Sequence, residues 1–200
     1  MYLPPVIGYC TAGIQHTNNI RALVMAGVNE LLFRGIDDAG VALRAVVASA
    51  QRASVGDIVT TALNASIPEA LAQFVRRVAS HPAESQRVAQ VAQALGYHRK
   101  TLVNHCALAV LPPPQELLAW CRLAVVGHLL GTTMLSVEAI SSRLDFPSDT
   151  ALRNLIKRYV GMRATDVRTN GGLRCVMAAL DERLRRHRDG TRQPAASSAS

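Results

Sequence analysis

The sequence is short of the arrangements from which enzymes are built. No Ser/His/Asp, Cys/His or paired-carboxylate pattern stands out, and the glycines form no phosphate-cradling loop, so no catalytic activity is expected. Cysteine is sparse: Cys10, Cys106, Cys121 and Cys175 are scattered without CxxC spacing, which argues for buried thiols and against a zinc site or a disulfide framework. His105 and Cys106 are neighbours, yet adjacent residues on a helix point apart and no matching ligand pair follows. Neither a metal nor a cofactor is therefore expected. Long apolar runs are missing too, for nothing approaches the ~18 residues of a membrane helix. The start, MYLPPVIGYCTAG, has neither the basic flank nor the long apolar region of a secretory signal. Together these absences predict a cytoplasmic protein with no membrane partner.

Lysine is nearly absent as well, because 20 of the 22 basic residues are Arg. The basic residues that are present sit unevenly. Residues 1–85 balance six Arg against six Asp and Glu, whereas residues 86–200 carry 16 Lys and Arg against eight acidic residues. The whole net charge of +8 thus falls in the C-terminal part. Arginine suits bidentate contacts with phosphates and guanines, so a polyanion is the natural partner.

The most informative stretch lies in that basic part, over 136–161, SVEAISSRLDFPSDTALRNLIKRYVG. Ile140, Leu144 and Phe146 give its first segment an apolar stripe. Phe146, Pro147, Ser148 and Asp149 then break the helix, since Pro fixes its φ and Ser or Asp offers an N-cap oxygen. In the second segment Leu152, Leu155, Ile156 and Tyr159 recur at helical spacing for burial, leaving Arg153, Asn154, Lys157 and Arg158 outward. Two short helices joined by a tight turn form a helix-turn-helix, whose second helix enters the DNA major groove. The same pattern also fits a surface hairpin with a solvated basic face.

Residues 146–161, FPSDTALRNLIKRYVG, resemble the C-terminal signature of the AraC/XylS family of transcription regulators. Members typically show Gly-Phe-Ser-x-x-Ser-x-Phe-x-Arg-x-Phe-Lys-x-x-x-Gly, followed by a Pro-containing segment and an Arg. Here Asp145 stands where the turn usually has Gly, Leu152 replaces the common aromatic, Ala164 replaces Pro, and Arg168 closes the segment. The resemblance implies a first helix-turn-helix upstream, and residues 86–105 fit one. Val88, Val91, Ala92 and Leu95 form the buried face of its first helix and Gly96 the turn. Its second helix, over about 98–107, buries Leu102 and Cys106 and exposes Arg99, Lys100, Val103 and Asn104, with His98 where the family has a Ser cap. Between the units, Pro112, Pro113 and Pro114 start a long helix with Leu117, Trp120, Leu123, Ala124, Gly127 and Leu130 as its apolar stripe. The resemblance implies that this is the family's linking helix, which sets the separation of two reading heads on adjacent major grooves.

The resemblance implies double-stranded DNA as the partner, with RNA polymerase and a second copy of the chain as further candidates. Arg99, Lys100, Thr101 and Asn104 would contact one groove, and Ser148, Asp149, Thr150, Arg153 and Asn154 the next. Lys157 and Arg158, nearer the helix end, would hold phosphates. After Gly161 an amphipathic helix over 173–186 is expected to pack on the second unit, and Arg183, Arg185, Arg186 and Arg188 either add phosphate contacts or form a solvated face.

The N-terminal part reads differently. Short apolar strands over 6–10 and 30–33 alternate with helices over 19–26 and 39–52, an order that suggests a small parallel sheet. Residues 20–35, IRALVMAGVNELLFRG, resemble the second half of a response-regulator receiver domain, with Thr11 or Cys10 near the switch hydroxyl and Arg34-Gly35 in place of Lys-Pro. The half that carries the phosphoacceptor Asp is not in this sequence, which reads as a degenerate remnant or as a chain whose true start lies upstream, and no phosphorelay function is expected. The expected organisation is a truncated receiver-like α/β segment over 1–54, a helical connector over 55–82, an AraC-like domain over 83–186 and a disordered tail over 187–200. The fold class is mainly α. A competing reading is a protein-protein adaptor whose helix-turn-helix domain has degenerated, motivated by Asp145 and the missing receiver half.

Overall fold

The computed structural model describes residues 7–11, 22, 30–34, 47, 55–63, 67–84 and 87–192, and the chain divides into two units, 1–54 and 55–200. In the first unit, β1 (Ile7–Thr11) and β2 (Glu30–Arg34) pair in parallel, in register from Ile7 opposite Glu30 to Thr11 opposite Arg34. Leu32 is buried and Tyr9 exposed. The helices expected over 19–26 and 39–52 lie outside the described residues, apart from Ala22 and Val47, which are helical.

The second unit is built of helices: α1 (residues 55–63), α2 (Glu69–Ser80), α3 (Val88–Ala94), α4 (Arg99–Leu108), α5 (Pro114–Thr132), α6 (Val137–Arg143), α7 (Asp149–Val160), α8 (Ala164–Thr169) and α9 (Leu173–Arg192). The central element is α5. Pro114 opens it at a position where the missing N–H has no intrahelical partner to lose. All six residues of the predicted stripe are buried, and so are Leu118, Cys121, Val125 and Val126. Every residue from Trp120 to Gly127 is buried, Arg122 included, and such a stretch must be covered on every side. Here α2, α8 and α9 supply most of the cover. Trp120 anchors the α5 core, its indole N–H directed at Glu116 Oε1 (3.4 Å) and its ring edge-on to Tyr159 at 5.1 Å.

Backbone meets backbone where α5 passes the turn into α9. Gly172 has φ +54°, and a Cβ there would lie 2.7 Å from Gly131 Cα and 2.8 Å from Gly131 N. Only glycine satisfies both the left-handed φ and this approach. Helix α9 then runs along α5 more than along α7, bound to it by Arg183, which donates to both oxygens of Glu116 at 2.7 and 3.0 Å.

Two boundaries differ from the sequence-based expectation. Residues 55–82 are a packed layer: Val55, Val59, Leu63, Phe74, Val75 and Val78 join the same core as α5, and α2 lies against both α3 and α4. Periodicity reveals that a helix has a buried face but not what covers it. Residues 187–192, expected to be disordered, continue α9, and Arg188 Nη2 reaches Leu63 O at 3.4 Å. Residues 193–200 lie outside the described residues.

Candidate nucleic-acid interface

Two helix pairs in the second unit share one local design. In α3–α4, Ala92 and Gln93 accept from Tyr97 N (2.8 Å) and Gly96 N (3.0 Å); in α6–α7, Ser141 and Ser142 accept from Phe146 N (2.9 Å) and Asp145 N (3.2 Å). The residue at the bend is left-handed in both, Gly96 at φ +73° and Asp145 at φ +52°. Asp is among the few non-glycine residues that visit this region readily. The departure from glycine at Asp145 therefore leaves the turn geometry intact. Beyond the bend, Pro147 is inserted between Phe146 and the N-cap Ser148, whereas His98 follows Tyr97 directly. From the caps onward the second helices run in step, burying Leu102 and Cys106 in α4 and Leu152 and Ile156 in α7.

That shared phase decides which residues face outward. Arg99, Lys100, Val103 and Asn104 are exposed on α4 and Thr101 is half-buried; Thr150, Arg153, Asn154, Lys157 and Arg158 are exposed on α7 and Asp149 is half-buried. The structure thus brings the sequence-identified residues together as two outward faces. Ser148 is exposed, but its Oγ accepts from Ala151 N at 3.0 Å and caps α7. Asp149 Oδ2 accepts from Arg153 Nε at 3.3 Å. Lys157 and Arg158 fall in the last turn of α7, where the helix dipole favours cations.

Arg122 could not be singled out from the sequence. It sits on α5, 8% exposed, and donates from Nη2 to Leu144 O at 2.7 Å and Asp145 O at 3.4 Å. Its guanidinium lies 3.9 Å from the Phe146 ring centroid. One arginine on the linking helix therefore grips the turn of the second unit. Burial lowers its pKa, and the nearby Asp145 carboxylate works in the opposite direction. Arg168 performs a similar task, donating to Thr133 O (2.6 Å) and to Leu135 O just before α6. Of the α9 arginines considered for phosphate contact, Arg183 is committed to Glu116 and Arg186 pairs with Glu182 at 2.9 Å.

Residues 91–170 match the family described as a helix-turn-helix domain. Residues 91–170 are therefore similar to an AraC-type helix-turn-helix domain. Helix-turn-helix domains are a DNA-binding design. The match spans both turns of the second unit, the linking helix α5 and α8, and does not reach residues 1–54. No curated protein and no solved structure matches the chain. Among the described residues, no helix is long and apolar enough to cross a membrane, and no group of three or more His, Cys, Asp or Glu is placed to hold a metal ion. Burial pushes the Cys106 and Cys121 thiols up to about 12, so both are inert core side chains.

Proposed function

We infer that the protein is a sequence-specific transcription regulator that reads two adjacent major grooves with α4 and α7. The observation that carries this reading is the repeated turn geometry, which presents two polar and basic helix faces from one unit. The 19 residues of α5 span about 28 Å at 1.5 Å per residue, comparable with the ~34 Å repeat between successive major grooves. One chain then serves a non-palindromic site without a two-fold partner. RNA polymerase is the protein partner such a regulator would engage, and a homodimer would double the site.

Arg99, Lys100 and Asn104 read bases from the first unit, with Thr101 at the rim. Thr150, Arg153 and Asn154 read the second groove, while Ser148 and Asp149 organise the start of α7. Arginine and asparagine suit these roles because their paired donors and acceptors match guanine and adenine edges. Lys157 and Arg158 hold phosphates and fix register.

The test is fluorescence-anisotropy selection from a randomised duplex pool at two salt concentrations, with sequencing of the retained fraction. An asymmetric motif of two half-sites about one helical turn apart is expected. Salt-sensitive binding without enrichment would reduce the protein to an electrostatic DNA binder. No binding at either salt would favour the adaptor reading. Within the selected site, Lys157→Gln is expected to weaken all sequences alike and flatten the salt slope by about one; a change in base preference instead would reassign Lys157 to base contact.

A further inference from the structure

The in-step helices make the two units comparable residue by residue. Counting from the caps His98 and Ser148, Leu102 aligns with Leu152 and Cys106 with Ile156, and each of these is buried. The same count places Val103 opposite Arg153 and Asn104 opposite Asn154, and each of these is exposed. One outward position thus carries asparagine in both units. The neighbouring position carries an aliphatic side chain in one and a guanidinium in the other.

We propose that Val103 and Arg153 are the same reading position in the two units and set opposite base preferences, Val103 for a thymine methyl and Arg153 for a guanine. This rests on the two-groove reading and goes beyond it by naming bases. Val103 is 43% exposed, the largest apolar side chain on the outward face of α4 before its last turn. In the major groove the largest apolar feature of an unmodified base edge is the thymine C5-methyl. Arg153 is held by Asp149 through Nε, and among the described residues its two terminal nitrogens have no hydrogen-bond partner. That geometry presents the end of the guanidinium, whose two donors match guanine O6 and N7. Asp149 is therefore a positioning residue for Arg153. Asn104 and Asn154, equivalently placed, read an adenine at matching steps of both half-sites.

The experiment is the same duplex selection with the full chain carrying Val103→Arg, Arg153→Val or Val103→Ala, each checked for an unchanged circular-dichroism melt. Wild-type protein is expected to select thymine at one position of the first half-site and guanine at the matching position of the second, with adenine shared beside them. Val103→Arg is expected to convert that thymine to guanine, and Arg153→Val the guanine to thymine, each by about ten- to a hundred-fold in relative affinity. Val103→Ala, the mildest change, is expected to flatten the thymine preference without creating a guanine preference. If Val103→Arg raised affinity for every sequence equally, or Val103→Ala kept the thymine preference, the proposal would be overturned while the two-groove reading stood. If the wild-type chain selected no half-sites, both would fall.

Discussion

Replacing Arg122 by methionine tests whether the linking helix holds the turn of the second helix-turn-helix. The side chain keeps its length and loses its donors, so the Leu144 carbonyl gives up a 2.7 Å charged hydrogen bond in a buried setting. Such bonds contribute about 1.5–3 kcal/mol. Losing the contact with the Phe146 ring adds about 0.5–2 kcal/mol. Against these losses stands relief from burying a cation, a term large enough in other proteins to make apolar replacements neutral or stabilising. Here the guanidinium has backbone acceptors, an aromatic face and the Asp145 carboxylate nearby, so the losses are expected to prevail by about 2 kcal/mol. For a unit of this size that is a drop of about 4–8 °C in Tm, or about 1 M in the urea midpoint at unchanged slope. Arg122→Lys, which keeps the charge but not the planar stack, should fall between. Equal or greater stability of Arg122→Met would refute the clamp.

Other perturbations follow from single contacts. Gly96→Ala meets open space and loses only the ease of its left-handed φ, so about 1 kcal/mol is expected in thermal melts. Gly172→Ala adds a collision with the backbone of α5 and is expected to cost more than about 3 kcal/mol; similar losses at the two glycines would contradict the close approach. Burial lowers the pKa of His128 below 6.5, so the unfolded chain binds the proton first. Stability is then complete above pH 6.5 and declines as pH falls toward the folded value, a slope that His128→Gln should reduce in urea titrations. Cys106 and Cys121, held up to about 12, are expected to react with a thiol reagent at pH 8 only after denaturation.

How much of this was legible in the sequence depends on how local the cause is. The stripe of α5, the buried pairs Leu102/Cys106 and Leu152/Ile156, and the bend at Gly96 follow from spacing and residue type, and each is where spacing places it. Asp145 was ambiguous because its side chain permits but does not demand a left-handed φ. Arg122 reads as an ordinary charge on an amphipathic helix, and Arg168 only as the arginine that closes the family signature. Their acceptors, Leu144 and Thr133, lie 22 and 35 residues away, a separation no local pattern encodes. The polar composition after residue 186 suggested a tail, yet α9 continues to Arg192 with Arg188 directed at Leu63 O.

The all-round burial of α5 has a consequence for what the protein can tolerate in its target. A linker that touched its neighbours on one side could swing, and two heads joined by it would accept half-sites at varied distances. Here α5 is wedged among α2, α8 and α9, gripped at the second turn by Arg122 and tied to α9 through Glu116. On the proposed two-groove reading, the heads are therefore marks on one ruler. Inserting a single base pair between half-sites turns one by about 35° about the duplex axis and moves it ~3.4 Å, a shift that the packing of α5 is expected to resist. Any accommodation would have to come from twisting the DNA, at a cost set by the stiffness of bases that no side chain touches. On that reading, spacing becomes a recognised feature in its own right.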